Sequence, residues 1–154
     1  MDAVFISKIM NEDIFHLGVK AIIHNPAGKI LLLKSNPLLV KNTARTSFWD
    51  LPGGRVKRGG AEEETLVREV SEETGIANIV SYKPFSCFVM PVRIQENSMD
   101  CGLIFSVYLC KVNEAPEVHL SKEHIEAKWC AVSEAAFLLG SRYPKEFTEK
   151  LTTA

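Results

Sequence analysis

The stretch WDLPGGRVKRGGAEEETLVREVSEETGI, running from Trp49 to Ile76, leaves this chain the fewest choices. Pro52 and the pairs Gly53-Gly54 and Gly59-Gly60 exclude a regular element across its first part. From Ala61 to Thr74 there is neither Gly nor Pro and helix formers dominate. Gly75 follows as a candidate C-cap. The pattern predicts a loop, a helix over 61–74, and a second loop. Leu66, Val67 and Val70 form the apolar stripe that would dock this helix on a sheet. At about 100° per residue, Glu69, Glu72 and Glu73 fall within an arc of roughly 100°, and Glu62 projects into the same arc. The carboxylates therefore lie beside the buried stripe, not opposite it. Like charges at these spacings cost roughly 0.2–0.5 kcal/mol per pair. A divalent cation would compensate, and Mg²⁺ suits carboxylate oxygens that leave room for water and phosphate. On this geometry alone, a metal site and a solvated acidic face both stand.

The flanks predict strands. LGVKAIIH (17–24) and KILLLKS (29–35) read as a hairpin closed by Asn25-Pro26-Ala27-Gly28. After the helix, IANIVSY, SCFVMPVRI and CGLIFSVYLCKV read as three strands, the last two joined by the polar turn QENSMD. Pro91 marks the middle one as an edge or bulged strand. EAKWCAV (126–132) reads as a further strand. Ser133 fits an N-cap for EAAFLL, and Tyr143-Pro144 precedes a short last helix, KEFTEKL. The layout is a mixed-sheet α+β domain. At 154 residues it is read as one domain, residues 1–154.

A net charge of −1 provides no global field for nucleic acid or an anionic membrane. No apolar run approaches the roughly 20 residues of a membrane helix, and MDAVFISKIMNEDIF has no signal-peptide pattern. The cysteines, Cys87, Cys101, Cys110 and Cys130, lack a C-x-x-C pair and read as buried free thiols of a reducing cytoplasm. Charge is nonetheless unevenly placed. Lys20, Lys29, Lys34, Lys41, Arg45, Arg55, Lys57 and Arg58 precede the glutamate helix, with Asp50 among them. Basic groups beside an acidic cluster are what a metal–phosphate substrate needs.

Gly54, followed after thirteen residues by Arg68-Glu69-Val70-Ser71-Glu72-Glu73-Thr74-Gly75-Ile76, resembles the Nudix box, G-x5-E-x7-R-E-U-x-E-E-x-G-U, where U is aliphatic. One fixed position departs: Gly60 stands where the box has a glutamate. Leu51-Pro52-Gly53-Gly54, the Gly18–Lys34 hairpin, the strand at Glu126–Val132 and the Ser133-Glu134-Ala135 helix start also look like the family. The resemblance spans roughly residues 15–140.

That resemblance implies an α/β/α sandwich with a mixed sheet. It implies Mg²⁺-dependent hydrolysis, with Mn²⁺ as a substitute, of a nucleoside diphosphate linked to another moiety X, such as a (d)NTP. Metal-activated water would attack phosphorus. By position, Glu69, Glu72 and Glu73 would be metal ligands, with a carbonyl from Gly53-Gly54 near the same cation. Arg68 would orient a carboxylate. A further carboxylate, as ligand or general base, is expected from the loop before Trp129, Glu123 ahead of Glu126. His124 could touch the base or a phosphate, though a solvated histidine fits the loop better. Lys41, Arg45 and Arg55 are candidate substrate contacts. Phe48 and Trp49 could stack on a base, though Trp49 fits core packing better. The glutamate missing at Gly60 would ordinarily pair with the box arginine, a role Glu64 could take for Arg68. A nucleotide is the implied partner, without membrane or long nucleic acid, and a homodimer is left open. The other reading is a Nudix-like module that senses a nucleotide without turning it over.

Overall fold

The structure, a computed structural model, describes residues 11–39, 46–114 and 116–154. Its elements are β1 (Phe15–His24), β2 (Ile30–Ser35), β3 (Trp49–Asp50), β4 (Gly53–Arg55), α1 (Glu62–Thr74), β5 (Ile79–Val89), β6 (Ile94–Glu96), β7 (Met99–Val112), β8 (His124–Cys130), α2 (Val132–Leu139) and α3 (Lys145–Leu151). They build a mixed sheet in the order β3-β2-β1-β7-β5, with β8 on β2, β4 on β1 and β6 on β7. β1 and β7 run parallel from Phe15↔Gly102 to His24↔Lys111, and the other pairings are antiparallel.

Strand alternation divides the core between two faces. Val19, Ala21 and Ile23 of β1 and Leu31 and Leu33 of β2 pack against Leu66 and Val70 of α1. Ile22, Ile30 and Leu32 turn the other way, toward Leu139 of α2 and Phe147 and Leu151 of α3. The result is the α/β/α sandwich that the resemblance implies. On α1 the stripe is narrower than the sequence pattern indicates. Val67 is exposed, whereas Thr65, Glu73 and Thr74 are buried.

The hairpin of β1 and β2 is paired only at His24↔Ile30. Beyond that the strands diverge, and β2 spends its length against β8. The vacated edge of β1 is taken by β4, with Val19 opposite Gly54 and Lys20 opposite Gly53. The Gly-Gly loop, expected to be irregular, is thus a short strand pinned to the sheet centre. Gly53 has φ 153°, and a Cβ there would lie 1.9 Å from the carbonyl oxygen of Val19. Only glycine permits this approach.

Other expectations are corrected. The segments read as strands at 76–82 and 86–94 form one strand, β5, with register shifts at Ile79/Ser81 and Pro84/Ser86. β5 ends the sheet order, where a proline without an N–H is tolerated. The turn after β6 places Asn97 (φ 50°) and Ser98 (φ 63°) in consecutive left-handed conformations, which suits a two-residue hairpin. The cap of α2 is Ala131, with Ser133 already inside the helix. Cys87 is exposed, while Cys101, Cys110 and Cys130 are buried, and all four are free thiols.

Candidate active site

The C-terminal end of α1 organises the site. A helix end leaves carbonyls without partners. Here Gly75, in the left-handed conformation (φ 76°), donates its N–H to Ser71. The loop before β8 supplies two more donors: the N–H of His119 to the carbonyl of Thr74 at 2.8 Å, and that of Ser121 to the carbonyl of Glu73 at 3.4 Å. Asn36, at the end of β2, fastens the same loop. Its backbone N–H donates to the Glu123 carbonyl at 2.8 Å and its side-chain amide to the Lys122 carbonyl at 2.9 Å. Backbone capping therefore carries Glu123 to the carboxylates of α1.

Gly53, Gly54, Arg55, Glu69, Glu72, Glu73 and Glu123 all line one cleft of about 550 Å³, together with Lys57, Ser121 and Lys122. Glu73 is only 5% exposed and accepts the N–H of Gly53 at 3.1 Å. Burial pushes its carboxyl up to about 8, against the pull of Lys20 and the Gly53 N–H. Glu69 lies flat on Gly54, where a Cβ would come within 2.4 Å of its carboxyl carbon. Arg68 bridges Glu69 at 3.2 Å and Glu72 at 3.9 Å. It makes no ion pair with Glu64, the partner the sequence offered for it. Gly60 takes an ordinary φ, the left-handed residue of that turn being Gly59 at 78°.

Ligand atoms of Glu73, Glu123 and His124 lie within 4.8 Å of one another. His124, read from sequence as solvated, is half-buried, and its Nδ1 is enclosed without a hydrogen-bond partner. Burial, then the charge of Lys20, hold its pKa down, so it is neutral near pH 7. Glu126 points elsewhere, pairing with Lys34 at 3.8 Å.

Lys41 and Arg45 lie outside the described residues. Arg55 is held by both oxygens of Glu96, at 2.5 and 3.2 Å. Phe48 carries the guanidinium of Arg142 at 3.6 Å from its ring centroid, and Trp49 packs against the core beside Lys34.

Sequence reasoning gave Lys20 and Asp50 no individual role beyond their place in the basic stretch, and Tyr143 none beyond marking the start of the last helix. Lys20 is 8% exposed, with its ammonium donating to Asp50 at 3.0 Å and to the carbonyl of Leu51 at 3.2 Å. The other oxygen of Asp50 accepts the Tyr143 hydroxyl and the Leu51 N–H. The available signal was a lysine inside an apolar strand, in the same register as Ile22.

The donor set fits a hard divalent cation. The carboxylates that line the cleft offer oxygens, His124 adds a ring nitrogen beside Glu73 and Glu123, and the most enclosed carboxylate is pushed toward its neutral form. Glu72 and Glu73 also stand at the negative end of the α1 dipole, with no basic residue in its last turn.

Residues 14–151 match the NUDIX domain model. The chain belongs to the Nudix family of hydrolases. A MutT protein from Methanosarcina mazei Go1 superposes with a TM-score of 0.64 at 30% identity, covering 92% of this chain and 94% of that one. An Ap4A hydrolase from C. elegans gives a TM-score of 0.64 over 89% of this chain and 93% of its own, but at 22% identity it speaks to the fold alone. A Bacillus subtilis (strain 168) protein named "Putative 8-oxo-dGTP diphosphatase" is 44% identical over 54 residues, 35% of this chain and 36% of the relative's length. Among the described residues, no helix is long and apolar enough to cross a membrane.

Proposed function

We propose that this chain is a Mg²⁺-dependent pyrophosphohydrolase, with Mn²⁺ as a substitute, of a nucleoside diphosphate linked to a further group, of which a (d)NTP is the simplest. The observation that carries this reading is the convergence of Glu69, Glu72, Glu73 and Glu123 on the cleft floored by Gly53-Gly54. The partial match to the B. subtilis protein supports a nucleoside triphosphate as substrate.

Glu69, Glu72, Glu73 and Glu123 would hold the cation. When bound, it supplies charge neutralisation on phosphate oxygens and a more acidic water. Arg68 sets the orientation of Glu69 and Glu72. Arg55, Lys57 and Lys122 line the same cleft and attract the remaining phosphate charge. Glu123, on a loop outside the helix, either completes the ligand set or, with a carboxylate oxygen left off the cation, takes the proton from the attacking water as general base. We further propose one catalytic domain acting on a small nucleotide in a reducing cytoplasm, a compartment the four free thiols suit.

The test is hydrolysis of a nucleotide panel, with products identified by chromatography, in Mg²⁺, in Mn²⁺ and in chelator. A nucleoside monophosphate released only with the divalent ion is the expected result. Binding with no turnover of any panel member would favour the sensor reading, which the missing box glutamate at Gly60 supports.

A further inference from the structure

A second cleft, of about 220 Å³, adjoins the carboxylate cleft. The two share Gly54 and Arg55 as a common wall. Its sides are Gly18, Ile94, Leu103 and Phe105, and Lys20, Gln95 and Glu96 also border it, Glu96 holding Arg55. A recess with apolar sides and a few polar groups at its border, beside a phosphate site, suits a nucleobase. Lys20 is the anomaly in it. An ammonium has three N–H donors and no acceptor. Two of them are satisfied, by Asp50 at 3.0 Å and the Leu51 carbonyl at 3.2 Å. No described residue accepts the third. The side chain is only 10% exposed, and what exposure it has is to the clefts it borders.

The ammonium is also held in place. Asp50 is fixed in turn by the Tyr143 hydroxyl and the Leu51 N–H. The Phe105 ring centroid lies 5.1 Å from Nζ. A buried charge of this kind contributes little to stability compared with an apolar side chain of similar size. Its use is a donor of fixed position and unambiguous sign.

We propose that Lys20 is a specificity-determining residue whose free N–H donates to a base carbonyl, guanine O6 or thymine O4, and disfavours adenine and cytosine, which carry an amino group there. The proposal rests on the hydrolase reading for its substrate and deepens it. Two donors brought face to face leave both unpaired, so discrimination follows from repulsion as well as attraction.

Two measurements test it. The first compares kcat/KM for dGTP with that for 2,6-diaminopurine deoxyribonucleoside triphosphate, in which an amino group replaces O6 and N1 loses its hydrogen. The ratio should be about tenfold or more in favour of dGTP. The second measures the binding of dGMP and dAMP without metal, by calorimetry. The wild type should prefer dGMP. Lys20→Met combined with Asp50→Asn removes both charges while keeping an acceptor for Tyr143, and it should bring both preferences to within about threefold of unity. Equal use of dGTP and its diaminopurine counterpart by wild type overturns the proposal, whatever the variant does. So does an undiminished preference in a folded double variant. Selective dGMP binding without hydrolysis of any panel member would sink the hydrolase reading and leave the role of Lys20 standing.

Discussion

Glu73 is where the chemistry of this chain and its stability meet. Its carboxyl is buried against Gly53, and burial lifts it to about 8 from an ordinary 4.5. A raised carboxyl favours the folded state while it holds its proton. That contribution is fully present below the unfolded value near 4.5 and is lost as pH rises through about 8. The melting temperature of the metal-free protein should therefore fall between about pH 5 and about pH 9. Glu73→Gln, neutral throughout and still able to accept the Gly53 N–H, should fall less over the same range. Parallel curves would show that Glu73 does not titrate in this window. A cation that needs the carboxylate displaces its proton, so Mg²⁺ affinity should rise with pH across the same interval.

At the scale of elements, the site depends on how the end of α1 is capped. The N–H groups of His119 and Ser121 close the helix, and that closure sets Glu123 beside Glu73. Glu126, three residues on, belongs to β8 and faces Lys34. Glu123→Ala should lower kcat more than it raises KM, whereas Glu126→Ala removes a surface ion pair worth at most about 1 kcal/mol and should leave kcat near wild type. Steady-state kinetics of the two variants decide between them, and a larger loss in Glu126→Ala would reverse the assignment. Helix α1 was legible because Gly59-Gly60 and Gly75 bracket a Gly- and Pro-free run, and α3 because Pro144 marks its start. β3 and β4 were not, because two or three residues become a strand only when a distant edge is vacant. That vacancy comes from the divergence of β1 and β2, which no local pattern encodes. β5 was split in reading because its pairing with β7 carries it through Pro84.

At the scale of the molecule, the sheet brings three separate stretches of chain to one cleft: the Gly53-Gly54 strand, the end of α1 and the loop before β8. Spacing disclosed the glutamates of α1, since helical geometry is local. It did not disclose Lys20 or His124, because a single polar residue in an apolar run is buried or solvated according to what packs across from it. Phe105 and Tyr143, which pack around Lys20 and Asp50, come from β7 and from the turn before α3. On the proposed reading, this cleft hydrolyses nucleotides through its carboxylates. The most direct test is Glu72→Gln, assayed with saturating Mg²⁺ on the best substrate of the panel, beside a thermal melt. Glu72 is largely exposed and makes one long ion pair, so the fold should be unchanged or slightly stabilised as like-charge repulsion is relieved. Turnover should fall by about 100-fold or more, because a ligand charge is removed where the transition state needs it. A folded Glu72→Gln protein that turns over nucleotide at near the wild-type rate would contradict the account.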